Sequence, residues 1–178
     1  VPSRTNRKSL KQRFSGRPGG AQTGQEDPPS SPSGAADFVI HVTNRQKDLP
    51  LSAAAVRRVV RALILFEAVS CQEIGVHFVT ASRICRLHAQ FFNDPSPTDC
   101  ITFPIDDAYL GDIFVCPHTA LQYAAKRGID PREEATLYLV HGFLHLLGYD
   151  DTTRATKLAM RKKEKQCMAH LKSLGILL

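Results

Sequence analysis

Apolar and polar positions change period several times along the chain, and each change marks an element. Residues 38–43 alternate apolar with polar or β-branched positions, the period of a strand. Over 52–69, Val56, Val59, Val60, Leu63, Ile64 and Phe66 recur at helical spacing while Arg57, Arg58 and Arg61 cluster on the other side, which predicts an amphipathic helix. A β-rich run over 75–80 reads as a second strand, and 82–92 as a further helix stopped by Asn93-Asp94-Pro95-Ser96-Pro97. Two short strands, 100–103 and 112–115, follow in hairpin fashion through Pro104 and Gly111. A helix over 118–127, a nearly uniformly apolar helix ending at Leu147, and a last helix over 153–174 complete the order. It predicts an α/β, or α+β, domain: a small mixed sheet packed with about five helices.

The apolar helix carries the chemistry. Asp130 suits its N-cap, Pro131 its first position, and Glu133 stands where a capping box places its acid, with Glu134 adding charge to the first turn. From Ala135 to Leu147 the segment is almost all apolar, so it belongs in the domain centre, and histidine interrupts it too often for a membrane span. Those histidines, His141 and His145, are four residues apart and project from one face, one turn apart. Gly148 can take the positive φ that ends the helix, and Asp151 (or, less well placed, Asp150) follows to supply a third ligand. Two imidazoles and a carboxylate leave one position open, the arrangement of a catalytic zinc. The bland alternative is a pair of hydrogen-bonded core histidines; the spacing of the glycine and the acid favours the metal.

Composition narrows the folded part. Residues 1–36 are rich in Ser, Pro, Gly, Arg and Lys with almost nothing to bury, and are expected to be a disordered tail ahead of one domain over 37–178. The tail holds six of the 23 basic residues and two of the 17 acids, so +4 of the formal +6 lies there and the domain carries only +2. The tail lacks the apolar core of a secretory signal. Cys71, Cys85, Cys100, Cys116 and Cys167 are scattered without a Cys-x-x-Cys pair, which points to reduced thiols in a cytoplasmic protein with no membrane partner.

Three segments together resemble the YbeY family of bacterial endoribonucleases. Pro97-Thr98-Asp99 with Thr102-Phe103-Pro104 is similar to the family's Pro-Thr-Asp-Val-Leu-Ser-Phe-Pro signature. Leu110-Gly111-Asp112-Ile113 with Cys116-Pro117 resembles its Leu-Gly-Asp-Ile segment. The block over 141–151 resembles its His-Gly-x-Leu-His-Leu-x-Gly-Tyr-Asp-His, and Met160 and Glu164 fall where the family has Met and Glu. The resemblance implies a single-strand-specific, metal-dependent endoribonuclease, usually with zinc, acting in maturation of small-subunit ribosomal RNA and in ribosome quality control. Its partners would be RNA and the small ribosomal subunit.

Two positions depart from the family pattern. Asp151 replaces the third histidine ligand; carboxylate is a competent zinc ligand, and it makes the site one unit more negative. Leu87-His88-Ala89-Gln90-Phe91-Phe92 stands where the family writes Leu-Asn-x-x-Tyr-Arg, so Phe92 replaces an arginine expected to contact phosphate and His88 an asparagine. Arg83 or Arg86 would then supply the missing charge, or His88 compensate. The catalytic candidates are His141, His145, Asp150 and His88, the last two as general base; Asp99 and Asp112, in strand-edge turns, are equally read as structural acids bonded to local backbone, with structure favoured for Asp112. Arg154, Lys157, Arg161, Lys162, Lys163 and Lys165 cluster on the last helix, which reads either as a solvated face or as an RNA or ribosome contact; with Arg57, Arg58 and Arg61 they are the candidate RNA contacts. The sequence shows no aromatic-interleaved platform and no tryptophan, so base-specific reading is not expected. A zinc protease is the enzyme rival, but it needs Glu where this chain has Gly142. The other rival is a metal-stabilised ribosome-assembly factor that cleaves poorly because of Asp151 and Phe92.

Overall fold

A computed structural model of the chain describes residues 38–178. The disordered tail expected over 1–36 lies outside the described residues. Within them the order is β1 (Val39–Asn44), α1 (Ala53–Phe66), β2 (Glu73–Phe78), α2 (Ala81–Phe92), β3 (Cys100–Pro104), β4 (Tyr109–Val115), α3 (Pro117–Arg127), α4 (Pro131–Leu146) and α5 (Arg154–Ser173). The strands form one mixed sheet in the order β1-β2-β4-β3. β1, β2 and β4 run parallel, and β3 returns antiparallel to β4. The five helices and mixed sheet are the α+β architecture that the apolar pattern predicts.

Strand alternation divides the packing in two. Ile74, Val76, Phe78, Ile113 and Val115 turn to one face and join α1, α4 and α5 in the main core. Ile101 turns to the other, where α2 covers it with Ile84 and Leu87, and Phe92, Phe103 and Phe114 pack partly buried around them. α4 is apolar on every side because α3, α5, β3 and β4 all lie against it. Gly142 permits that approach: a Cβ there would stand 2.6 Å from Ile113 Cγ2.

Several ends fall elsewhere than the pattern predicts, each for a local reason. α1 stops at Phe66 because Ala68 takes φ 50° and the Val69 N–H folds back to Ile64 O at 3.0 Å. β2 ends at Phe78, since Thr80 turns into the N-cap of α2 and accepts from Arg83 N. β4 begins three residues early, at Tyr109, because Asp106 closes the hairpin by accepting from the N–H groups of Ala108 and Tyr109. Asp112 therefore sits inside a strand rather than in a turn. It accepts from Tyr109 Oη at 2.5 Å and pairs with His77 Nε2 at 2.9 Å, which corrects the expectation of local backbone bonding. Asp99 accepts from Cys100 N and Thr98 Oγ1.

Candidate metal centre

The two ends of α4 are fixed by its own sequence. Asp130 accepts from Arg132 N at 2.8 Å with Pro131 at the first position. Glu133 does not complete a capping box; Lys172 of α5 draws it away. At the other end Gly148 takes φ 88°, the Tyr149 N–H reaches Leu144 O and the Gly148 N–H reaches His145 O, both at 3.0 Å. These two bonds form a Schellman turn. It carries the chain back over the last helical turn and brings Tyr149 O to 2.9 Å from His145 Nδ1.

Each imidazole is thus held by its Nδ1 and presents its Nε2. His141 Nδ1 lies 2.5 Å from Glu164 Oε1 of α5, with both side chains nearly excluded from water. The two Nε2 atoms face each other at 2.9 Å, with the rings almost perpendicular. A carboxylate or carbonyl behind each metal-binding histidine fixes its tautomer and aim. The rings here are arranged so.

Asp151 completes the set. Its Oδ1 stands 3.9 Å from His145 Nε2, is buried, and accepts no hydrogen bond among the described residues. A buried carboxylate oxygen without a donor costs free energy unless a cation meets it. Donor atoms of His141, His145 and Asp151 all lie within 4.8 Å of one another, and no other such trio of His, Cys, Asp or Glu occurs among the described residues. An orphaned buried oxygen beside two converging imidazole nitrogens fits a metal ion.

The remaining sequence candidates fall outside this point. Asp150 spends both oxygens on its own turn, accepting from Asp151 N, Thr152 N and Thr152 Oγ1. The Thr152 hydroxyl is the first cause that holds its carboxyl below the ordinary range. His88 is buried with Nδ1 2.9 Å from Ser96 O, bracing the 93–97 turn, and its ring tilts against Phe92. Phe92 is half-buried beside the α2 core cluster. Arg57, Arg58 and Arg61 are exposed on α1, where Arg57 Nε donates to Ile40 O and, with Arg61, lines a cleft along β1. Arg154, Arg161 and Lys162 are exposed on α5. Lys163 is tied to Glu67 at 2.7 Å and leaves the basic group.

The sequence sets Glu164 in a charge run and, by resemblance, at a family position, with nothing local to put it behind His141. The signal was present. Met160, Glu164, Cys167 and Leu171 share the buried stripe of α5, so Glu164 is an acid standing in an apolar phase. Gly142 settles the protease rival physically, because a glutamate there would be driven into Ile113 and Thr102 of the sheet.

The fold and the side-chain set define an α+β protein with a candidate metal centre on its buried helix. A model of the family described as Endoribonuclease YbeY matches residues 41–172. Endoribonuclease YbeY of Protochlamydia amoebophila is 46% identical over 144 residues, 78% of this chain and 96% of that protein. That of Chlamydia pneumoniae is 39% identical over 149 residues, 78% of this chain and 94% of that protein. The solution structure of a Thermotoga maritima protein superposes with a TM-score of 0.55 at 25% identity, covering 75% of this chain and 89% of that one. The chain belongs to the YbeY endoribonuclease family.

Proposed function

We propose that this chain is a metal-dependent endoribonuclease, a hydrolase that cuts phosphodiester bonds in single-stranded RNA. Its place would be the maturation of small-subunit ribosomal RNA and ribosome quality control, with the small subunit as partner. The observation that carries the reading is the convergence of His141 Nε2, His145 Nε2 and the orphaned Asp151 Oδ1 in a member of an endoribonuclease family. Zinc is the ion we assign, one per chain, because two imidazoles and one carboxylate match its catalytic sites. Free thiols at Cys71, Cys85, Cys100, Cys116 and Cys167 fit a reducing compartment, and we assign the cytoplasm. No described helix is long and apolar enough to cross a membrane.

An ion held by His141, His145 and Asp151 would supply Lewis-acid chemistry toward a phosphodiester. The protein's own part is to aim and hold. Glu164 accepts the Nδ1 proton of His141 and leaves its Nε2 lone pair facing the site; Tyr149 O does the same for His145. Asp150 shapes the turn that delivers Asp151, and its lowered pKa makes it a weak base. His88 braces the turn ahead of β3. Arg161, in a cleft of about 300 Å³ that it shares with Glu164, and Arg154, Lys162, Arg57, Arg58 and Arg61 are the cations we assign to phosphate contact.

A second reading rests on Phe92. An apolar ring stands where the family resemblance calls for a guanidinium, so a metal-stabilised ribosome-assembly factor with little cleavage is the alternative. Cleavage of a labelled single-stranded RNA decides, run beside His145→Ala and a chelated sample. Loss of cleavage in both controls supports the nuclease. Intact RNA with wild type, alongside binding to small subunits, selects the assembly factor.

A further inference from the structure

The sheet face opposite α4 carries a row of rings that the sequence conceals, because they come from four separate elements. Phe91 at the end of α2 meets Phe103 of β3 with centroids 4.8 Å apart. Phe103 meets Phe114 of β4 edge-on at 5.7 Å, and Phe114 stacks on His77 of β2 at 4.7 Å and 25°. Strand register produces the row: His77 and Phe114 are partners across β2 and β4, and Phe103 stands diagonally beyond on β3. His77 is held flat by Thr43 Oγ1 on Nδ1 and Asp112 Oδ1 on Nε2. Phe103, Phe114 and His77 are all partly open to solvent, and Phe91 is 43% exposed.

Cations accompany the rings. Arg83 and Arg86 are exposed on α2, the helix that carries Phe91, and neither pairs with an acid among the described residues. Beyond His77 the face ends in Glu73 and Asp112, each joined to a histidine, which is poor ground for phosphate. The favourable surface is therefore short, enough for roughly two or three bases, as on other aromatic sheet faces. It also lies close to the metal helix. β3 is the end strand of the sheet, and its Thr102 faces Gly142 of α4 while the next residue, Phe103, faces the row.

We propose that Phe91, Phe103, Phe114 and His77, with Arg83 and Arg86, bind unpaired RNA bases by stacking and hold the strand that passes round the β3 edge toward the metal centre. The inference rests on the endoribonuclease reading and adds to it the origin of single-strand preference. Bases in a duplex are already stacked on each other and have no free face to offer, whereas an unpaired base does. Stacking tolerates every base, so no sequence preference is required.

The chain contains no tryptophan, so Phe91→Trp creates a single reporter on the row. Titration of that variant with a 2′-O-methyl oligoadenylate is expected to quench its fluorescence. On a labelled single-stranded RNA, Phe91→Ala should raise KM about fivefold or more while kcat is retained, the scale of one lost base stack, and Phe91→Tyr should restore it. Replacing Arg83 and Arg86 by Gln should flatten the log K against log salt plot by about 0.7 for each charge removed. If wild type binds and cleaves RNA, yet Trp fluorescence is unmoved and Phe91→Ala leaves KM unchanged, the row is merely the cover over α2 and the inference falls while the nuclease stands. If wild type neither binds nor cleaves RNA, the functional reading falls with it.

Discussion

Among the described residues a cluster of histidine and carboxylate lies on each face of the sheet. On the outer face His41 meets Glu73, and His77 is gripped between Thr43 and Asp112, whose Oδ1 also accepts from Tyr109. On the inner face His141, His145, Asp151 and Glu164 come together at the end of α4. The residue types are nearly the same, but the use of their atoms differs. Both ring nitrogens of His77 are spent on neighbours, while His141 and His145 spend Nδ1 on supports and turn Nε2 toward one point beside a carboxylate oxygen that accepts nothing. A polar cluster that closes on itself is structural; one that leaves convergent donor atoms over is built for a ligand.

The largest expected effect tests that distinction directly. His145→Ala should lose bound zinc and RNA cleavage to below detection, whereas His77→Ala should keep a full complement of metal, measured by metal analysis of the purified proteins. Zinc retained by His145→Ala would break the comparison. Next in size, Glu164→Gln should weaken metal affinity by about 10–100-fold, read by competition with a chelator, because the amide no longer takes the His141 Nδ1 proton as a carboxylate does. Unchanged affinity would reduce Glu164 to a packing role.

The outer cluster should respond in stability instead. Asp112→Ala strands Tyr109 Oη and His77 Nε2 in a half-buried site, and a loss of about 1–3 kcal/mol is expected from urea unfolding, with metal content unaltered. The smallest effect concerns pH. Burial first, then the hydrogen bond to Asp112, pushes the Tyr109 phenol well above its ordinary value. The folded chain therefore keeps this proton longer than the unfolded one. Its contribution is fully present below about pH 10, the ordinary tyrosine value, and is lost as pH rises toward the folded value. Tyr109→Phe should flatten the alkaline fall in stability seen by thermal unfolding above about pH 10; an identical fall in both proteins would contradict it.

Local periodicity made the elements and the metal helix legible in the sequence. The apolar run over α4 sets off two histidines at one-turn spacing, and Gly148 with Asp151 lies near enough in the chain for the third member of the candidate trio to be read as well. What was not legible depends on contacts between distant residues. Glu164 meets His141 across 23 positions, and the rings at 77, 91, 103 and 114 align only when β2, β3 and β4 are in register. The same holds for Asp112. Its neighbours in sequence suggest a turn, and only the parallel pairing of β2 with β4 brings His77 beside it.

The two candidate ligand histidines are aimed by supports of different kinds, a side chain and a main-chain carbonyl. Glu164 is a side chain, and a single codon change removes it. Tyr149 O is a main-chain carbonyl, supplied whatever the side chain, so substitution at 149 leaves the acceptor in place provided that the residue keeps the N–H that reaches Leu144 O. What can disturb it is a change at Gly148, whose φ of 88° brings the carbonyl into place. The side chain can therefore change at the residue that makes the bond with the carbonyl still in place, whereas a side chain added at 148, which makes no bond to the ring, strains the turn that carries it.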